Sequence, residues 1–220
     1  MMKYAVFSDF DGTISARDVG YAVFHHFSNG KNDEILPDWK SGRMTTRDCL
    51  LAEAAMVNAP ADEIIDFIDK IDIDQTFPAF VKLCDNNKFP LIIVSDGMDF
   101  YIKHLLSKNN LNHLKYYTNQ AHLANNTIQI EFPRENKNCH SCGICKGEII
   151  NEFKEDNNNG VKIIFIGDGY SDACGAKEAD ILFAKKDLVE YCRKNKISYF
   201  PYDSFEDVTI KLFELGIIKV

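Results

Sequence analysis

The sequence lacks the features of a membrane, secreted or disordered protein. None of its apolar runs approaches the ~18–20 residues that a membrane span needs. The segment from Met1 to Asp9 lacks the charged region and the long apolar region of a signal peptide. Internal repeats and flexible linkers are also absent, and 45% hydrophobic with 26% charged residues is ordinary for a globular chain. We therefore expect a cytoplasmic protein that does not associate with membranes.

Basic residues are fewer than acidic ones. The 220-residue chain has 25 Lys and Arg against 33 Asp and Glu, which gives a net charge of −8. Nucleic-acid binding requires a basic surface against the phosphate backbone, and no block of Lys or Arg is present, so we expect no nucleic-acid partner. The same balance would repel a small anionic ligand unless local cations compensate.

Seven cysteines make an odd number, which excludes a complete disulfide framework. Cys139, Cys142 and Cys145 form a dense run that ends beside Lys146. In one interpretation they would supply three ligands for a structural Zn²⁺, with His140 or a distant residue as the fourth. The alternative is a loop of reduced thiols that only positions Lys146. An iron–sulfur cluster is less supported, because the run lacks a further nearby cysteine and proline. Four other cysteines lie on helical patterns and are expected to be small core residues: Cys49, Cys84, Cys174 and Cys192.

Three short apolar runs predict the core of the fold: Tyr4–Phe7, Leu91–Val94 and Val161–Ile166. Each is nearly continuous, as is typical of strands buried on both faces of a parallel sheet. Helical patterns alternate with them, which predicts an α/β fold with a doubly wound, mainly parallel, Rossmann-like sheet. Asn125-Asn126 predicts a tight turn between two further extended segments.

The stretch after the first strand is too long for a simple crossover connection. It contains several amphipathic helical patterns, including Val19–Phe27, Thr46–Val57 and Asp62–Asp69. We interpret residues 15–87 as an inserted helical cap domain, and residues 1–14 together with 88–220 as the core domain. Ligands bind at the carboxyl ends of the strands in open α/β sheets, where such a cap would lie.

Acidic residues follow two of the predicted strands. Asp9 and Asp11 come after the first strand, and Asp168 and Asp172 after the third. Close carboxylates repel one another, so a proton or a cation must lie between them. Because hard oxygen ligands favour Mg²⁺, the four residues predict a magnesium site at this edge of the sheet.

Anion-binding groups are predicted at the same edge. Ser95 ends the second strand, and we expect Asp96-Gly97 to open the following helix, where exposed N–H groups bind anions. Lys146 opens a later helix and would neutralise a phosphate as a point charge. Each of these residues alone is more often a cap or a surface residue, so their combination carries the prediction.

The order of these motifs resembles that of the haloacid dehalogenase (HAD) superfamily. The motifs are DFDGT from Asp9 to Thr13, Ser95 at a strand end, Lys146, and GDGxxD ending at Asp172. The insertion resembles the helical cap of the phosphoserine-phosphatase-like branch. Within that branch, the segments SDGMDFY, CxxCGxCK and FAKKDLVEYC are similar to the phosphatases of 2-hydroxy-3-keto-5-methylthiopentenyl 1-phosphate in methionine salvage. The phosphoethanolamine/phosphocholine phosphatases are also similar.

The resemblance implies an Mg²⁺-dependent phosphomonoester hydrolase whose partner is a small-molecule phosphate ester. Asp9 would be the nucleophile that forms an aspartyl-phosphate, and Asp11 the general acid and base. Mg²⁺ would be held by Asp9, the Asp11 backbone carbonyl and Asp168, with Asp172 binding it directly or through water. Lys146 would offset the charge of the phosphate, and Ser95 with the Gly97 N–H would hold its non-transferred oxygens. The oligomeric state is not determined by the sequence.

The substrate stays open between several esters. Asp18 stands where phosphoserine phosphatases have a Glu that meets the substrate ammonium, which weakens phosphoserine as the substrate. Asp96 replaces the glycine expected in the salvage enzyme, and an Asp there is typical of the choline-type relatives. Arg43 in the cap would meet an anionic substrate group.

Two non-enzymatic alternatives are a receiver-like signalling module and a metal-binding regulatory module. A receiver carries its phosphorylated Asp on the third strand, whereas here the acid pair follows the first. The intact set of motif residues argues against a degenerate, non-catalytic core.

Overall fold

The computed structural model describes residues 3–134 and 136–218. In these residues seven strands form one sheet in the order β4-β3-β2-β1-β5-β6-β7. Neighbouring strands are parallel except for β3 and β4, so the predicted α/β fold with a mainly parallel sheet is confirmed. The strands are β1 (Lys3–Ser8), β2 (Leu91–Met98), β3 (Lys115–Ala124), β4 (Thr127–Glu131), β5 (Val161–Gly167), β6 (Ile181–Ala184) and β7 (Phe200–Pro201).

Helices connect the strands and cover both faces of the sheet. They are α1 (Val19–Phe27), α2 (Leu36–Lys40), α3 (Thr46–Ala55), α4 (Ala61–Ile68), α5 (Phe77–Asn87), α6 (Asp99–Lys108), α7 (Lys146–Asp156), α8 (Ala173–Glu178), α9 (Lys186–Asn195) and α10 (Phe205–Glu214). Short 3-10 helices lie at Lys31–Glu34 and Tyr170–Asp172. In the part of the chain that the structure describes, none of the helices has the length and apolarity to cross a bilayer.

The central strand β1 is buried on both faces, which explains its unbroken apolar sequence. Val6 packs into a cluster on one face of the sheet, whereas Ala5 and Phe7 pack into a second cluster on the other. Because side chains alternate along a strand, each face needs its own apolar set. β1 pairs with β2 and β5, so the carboxyl ends of the three predicted strands lie side by side.

The chain leaves the sheet after β1 and returns before β2. Ser15 and Ile73 form an isolated antiparallel bridge between the outgoing and the returning segments. Beyond that bridge α5 packs against α10, with the rings of Phe77 and Phe80 centred 4.7 and 5.1 Å from the ring of Phe205. The division into a cap at residues 15–87 and a core stays a prediction.

The helix after β2 begins later than predicted. The sequence indicated a helix opening at Asp96-Gly97, but β2 continues to Met98 and α6 begins at Asp99. The register against β3 shifts between Val94 and Met98, and Met98 pairs with Asn119. The Asn119 side chain also donates to the backbone oxygen of Asp96, 2.5 Å away, which holds this segment extended. Ser95 and Gly97 therefore lie in an irregular strand end and not at a helix N-terminus.

Candidate active site

A cavity of about 440 Å³ opens at the carboxyl ends of β1, β2 and β5. Its inner wall carries predicted site residues from three separate motifs: Asp9, Asp11, Ser95, Asp96, Gly97 and Asp168. Parallel strands in adjacent positions bring these motifs to one edge of the sheet, although they are distant in sequence. Asp18 also lines this cavity and caps α1, with Oδ1 accepting from the Tyr21 N–H at 2.8 Å.

Three of the predicted metal ligands form a buried acidic cluster. Asp9, Asp168 and Asp172 each place a carboxylate oxygen within 4.8 Å of the others. Lys146 is fully buried behind them, with Nζ 2.6 Å from Asp172 Oδ1 and 2.8 Å from Asp9 Oδ1. Burial alone lowers the pKa of Lys146, but Asp172 and Asp9 outweigh it and hold the pKa above its ordinary value. Lys146 is therefore a permanent cation among these carboxylates.

One buried ammonium does not balance three carboxylates. Burial raises the pKa of both Asp9 and Asp168. The negative charge of Asp172 is the second cause and raises both pKa values further. Asp9 Oδ1 has no hydrogen-bond partner among the described residues, because Lys146 approaches it outside hydrogen-bond geometry. A carboxylate cluster with excess negative charge, in which Asp9 Oδ1 accepts no hydrogen bond from the described residues, fits a hard divalent cation such as Mg²⁺.

Lys186 is a second cation at the cluster that the sequence analysis missed. Its Nζ lies 2.8 Å from Asp168 Oδ2 and 3.1 Å from the carbonyl oxygen of Gly12. Gly12 itself has φ +73°, and a Cβ there would lie 2.4 Å from Asp168 Oδ2. The glycine therefore permits both the left-handed turn and the close approach of the Asp168 carboxylate. Nothing in the Lys185-Lys186 dipeptide distinguishes Lys186 from a surface lysine.

Asp11 is held apart from this cluster by its own hydrogen bonds. Its Oδ1 accepts from the Val19 N–H at 2.8 Å, and its Oδ2 accepts from the Tyr101 hydroxyl at 2.6 Å. Burial, and next the charge of Asp18, raises the pKa of Asp11 to about 7, although the bonds from Tyr101 and Val19 oppose the rise. A carboxyl group that titrates near neutral pH suits general acid and base catalysis. Tyr101, from α6, was not predicted as a site residue.

Asp96 has two different carboxylate oxygens. Oδ1 accepts from the Ile144 N–H at 2.5 Å, which ties β2 to the loop before Lys146. Oδ2 is buried and has no partner within residues 3–134 and 136–218. Burial raises the pKa of Asp96 to about 6. The Gly97 N–H donates to Ser95 Oγ at 3.0 Å, so the predicted anion-binding pair is already in contact.

The outer part of the cavity is formed by helices between β1 and β2. It combines apolar side chains with one buried acid, Glu53 of α3: Tyr21, Phe24, Leu36, Trp39, Leu50 and Glu53. Glu53 Oε1 accepts from Asn32 Nδ2 at 3.1 Å. Sequence reasoning missed this wall, because its members have the spacing of ordinary amphipathic helices.

The structure does not bring Arg43 to the cavity. Arg43 is exposed and pairs with Asp38 at 2.5 Å, on the outer surface.

The three clustered cysteines do converge near Lys146, and the sulfur of Cys174 joins them. His140 is exposed and lies outside this sulfur cluster, and Cys174 is not the core packing residue that its helical pattern indicated.

Comparison with known families and proteins agrees with this geometry. The model of a family described as "Putative Phosphatase" matches residues 4–201. The 2-hydroxy-3-keto-5-methylthiopentenyl-1-phosphate phosphatase of Bacillus thuringiensis subsp. konkukian (strain 97-27) is 30% identical over 100% of both chains. The protein of that name in Bacillus cereus (strain ATCC 10987 / NRS 248) is 31% identical, also over 100% of both.

Solved structures share the fold. A phosphoserine phosphatase with a phospho-aspartyl intermediate analogue superposes with a TM-score of 0.72 at 18% identity, over 100% of both chains. A HAD family hydrolase from Salmonella enterica subsp. enterica serovar Typhi gives a TM-score of 0.74 at 17% identity, over 96% of this chain and 71% of that one.

Proposed function

Because the chain belongs to the phosphatase family whose model spans residues 4–201, we propose that it hydrolyses a small phosphate monoester with Mg²⁺ through an aspartyl-phosphate on Asp9. The protein is a phosphoric monoester hydrolase with the HAD fold. The mechanism rests on one observation: two neighbouring acids, Asp9 and Asp11, have different surroundings. Asp9 Oδ1 lies 2.8 Å from the buried Lys146 ammonium, whereas Asp11 accepts hydrogen bonds from Tyr101 and Val19 and has a pKa raised to about 7 by burial.

The two acids take different roles because their surroundings differ. Asp9 attacks phosphorus, and the bond from phosphorus to the leaving oxygen breaks as the bond to Asp9 forms. Asp11, which Tyr101 and Val19 hold in place, gives its proton to the leaving oxygen. In the second step Asp11 takes a proton from water, which attacks the phosphorus, releases phosphate and regenerates Asp9.

The cation site reduces the repulsion between the nucleophile and its substrate. Asp9, Asp168, Asp172 and the Asp11 backbone carbonyl would hold Mg²⁺. When bound, Mg²⁺ supplies positive charge that offsets the phosphate dianion and the Asp9 carboxylate. Lys146 adds a fixed charge from behind the cluster. Ser95 Oγ and the Gly97 N–H would bind the phosphate oxygens that are not transferred.

Burst kinetics with p-nitrophenyl phosphate test the two roles separately. Asp9→Asn is expected to abolish hydrolysis while far-UV circular dichroism stays unchanged. Asp11→Asn is expected to release about one p-nitrophenolate per enzyme and then stall, because this leaving group needs no acid whereas the second step needs a base. The exposed Asp85 provides a matched control, so Asp85→Asn should retain full turnover. Turnover by Asp9→Asn at the wild-type rate would contradict the proposal.

We propose 2-hydroxy-3-keto-5-methylthiopentenyl 1-phosphate as the substrate. Two relatives of that name match the whole chain at 30% and 31% identity. The apolar outer wall, with Phe24, Leu36 and Trp39, also suits a substrate with an apolar chain beyond its phosphate.

Phosphocholine or phosphoethanolamine is the second candidate, and Asp96 favours it. Asp96 lines the cavity, and its buried Oδ2 has no hydrogen-bond partner among the described residues, which suits a cationic head group. Asp96→Asn keeps an oxygen for the Ile144 N–H but removes the charge. It should lower kcat/KM for a cationic ester by roughly tenfold or more, as the loss of a buried ion pair does, and spare the salvage ester. An equal change in kcat/KM for both esters would mean that Asp96 does not bind the head group.

We also propose that the helical segment at residues 15–87 acts as a cap in the cytoplasmic enzyme. The bridge between Ser15 and Ile73 joins the outgoing and the returning chain, so the part of the segment between these two residues would move, whereas α5 stays packed against α10 of the core. Movement about this point would admit the substrate and then exclude water. None of the seven cysteines, all of which lie in the described residues, forms a disulfide, which agrees with a reducing compartment.

A further inference from the structure

Four cysteine sulfurs meet beside the acidic cluster but outside the cavity. Cys139, Cys142 and Cys145 come from the loop before α7, and Cys174 comes from the first turn of α8. All four Sγ atoms lie within 4.8 Å of one another. Cys142 and Cys145 are buried, and Cys139 and Cys174 are half-buried, so the cluster is largely shielded from solvent.

We propose that these four sulfurs bind one structural Zn²⁺. A tetrahedral ion with Zn–S bonds of about 2.3 Å places its ligands roughly 3.8 Å apart, so the observed spread needs only a small contraction. A donor set made of thiolates alone selects a soft ion such as zinc and disfavours Mg²⁺. The two metals would therefore occupy separate sites that differ in ligand type.

The loop that carries three of the ligands is shaped by hydrogen bonds from outside the cluster. Asn136 donates from Nδ2 to the Cys142 carbonyl at 2.8 Å and accepts at Oδ1 from the Cys145 N–H at 3.1 Å. The Glu148 carboxylate accepts from the Cys139 N–H at 3.0 Å. Such contacts fix the ligands before the metal arrives and reduce the conformational entropy that binding must remove.

The charge and proton balance is simple. Binding breaks four S–H bonds, releases four protons to solvent and forms four Zn–S bonds, without oxidation or reduction. The resulting site carries a charge of −2. Cys145 directly precedes the first residue of α7, an 11-residue helix whose positive end favours this negative charge.

The zinc site would join the two helices that carry the buried ion pair. Cys145 is adjacent to Lys146, Cys174 lies two residues after Asp172, and Lys146 Nζ bonds Asp172 at 2.6 Å. α7 and α8 already touch closely, because a Cβ on Gly147 would lie 2.8 Å from the Cys174 carbonyl oxygen. The ion would therefore hold Lys146 and Asp172 at a fixed separation. Zinc binding itself does not depend on the proposed function, so metal measurements decide it even if the enzyme is inactive.

Metal analysis of the full chain, purified with reductant and without chelator, tests the proposal. We expect one zinc per chain in the wild type and in Cys84→Ala, a buried cysteine elsewhere in the core, and substoichiometric zinc in Cys174→Ala. Equal zinc in Cys174→Ala and the wild type would show that the ion binds elsewhere and overturn the proposal. An intact mass of the native protein that shows disulfides in place of metal would also overturn it.

Cobalt substitution of the wild type provides a measurement that needs no variant to fold. Co²⁺ added to the reduced apoprotein should give the strong d–d bands of tetrahedral cobalt together with thiolate-to-cobalt charge transfer. Zn²⁺ should displace it. Loss of a residue that only hydrogen-bonds to a metal ligand lowers metal affinity by ~10–100-fold. Because Cys174 would be a ligand itself, Cys174→Ala should lower the affinity for Co²⁺ by more than this. Octahedral bands without charge transfer in the wild type would place cobalt on carboxylates and refute the four-sulfur site.

Discussion

Replacing Glu53 by glutamine should change how the stability of the protein depends on pH. Glu53 is 5% exposed and lies on the cavity wall. Its partners are neutral: Asn32 Nδ2 at 3.1 Å and the Cys49 thiol at 3.9 Å. None of the ion pairs in the described part of the chain includes Glu53. Burial therefore raises the pKa of Glu53 from 4.5 to about 7.

The sign of the effect follows from proton binding. Because the folded pKa of Glu53 is above the unfolded value, the folded state holds a proton that the unfolded state releases. The carboxyl group therefore favours folding below pH 4.5, and this contribution is lost as the pH rises through about 7. Each pH unit between the two pKa values corresponds to 1.36 kcal/mol, so the full contribution to the free energy of unfolding is about 3 kcal/mol. About 2 kcal/mol of this contribution is lost between about pH 5.5 and pH 8.

Urea denaturation of wild type and Glu53→Gln at pH 5.5 and pH 8 measures this difference. The free energy of unfolding of Glu53→Gln minus that of the wild type should grow by about 2 kcal/mol between the two conditions. Glutamine is neutral at both, accepts from Asn32 Nδ2, and can donate to the unpartnered Asn32 Oδ1. The exposed Glu63 of α4 supplies the control Glu63→Gln, whose difference from the wild type should not change with pH. Parallel pH dependence of the wild type and Glu53→Gln would refute the reasoning.

Three further changes probe the active site. Tyr101→Phe removes the hydroxyl that donates to Asp11, so kcat for an alkyl phosphate should fall roughly tenfold while p-nitrophenyl phosphate, which needs no acid, is less affected. Gly97→Ala would place a Cβ 2.1 Å from the Tyr101 hydroxyl, so kcat/KM should fall more than ~100-fold with unchanged circular dichroism, since small misplacements in a site are this costly. Lys146→Met leaves Asp172 without its ammonium and should lower the free energy of unfolding by about 3–5 kcal/mol in metal-free urea titrations. Added Mg²⁺ should restore part of that loss, and an unchanged titration would contradict the role of Lys146 in balancing the cluster.

The strands and motifs could be predicted because their physical requirements are local. β1 and β5 are buried on both faces, so each needs an unbroken apolar run, and polar residues after such a run mark the edge of a parallel sheet. The turn between β3 and β4 could also be predicted, since Asn125 and Asn126 both adopt positive φ, which asparagine tolerates better than most residues. Local chemistry determines both features.

Residues that act through distant contacts could not be predicted. Tyr101 has the spacing of a core residue in α6, and only the fold shows that its hydroxyl meets Asp11. The spacing of Cys174 likewise indicated packing, whereas its sulfur joins three others from a separate loop. The start of α6 was wrong for a similar reason, because Asn119 of β3 holds Asp96 in extended backbone that its own sequence does not require.

The distribution of charge around the cavity reconciles an acidic protein with an anionic substrate. Seven acidic side chains and two lysines of the described residues line the cavity, so its lining has a formal charge of −5 in a chain whose net charge is −8. The acids near β1 and β5 surround the buried Lys146, and Asp9 Oδ1 accepts no hydrogen bond within the described residues although Lys146 Nζ lies 2.8 Å away. They therefore create a need for one more cation at the point where the phosphate would bind. With Mg²⁺ bound as proposed, the acidic residues would not oppose phosphate binding, because they would hold the cation that offsets the charge of the phosphate.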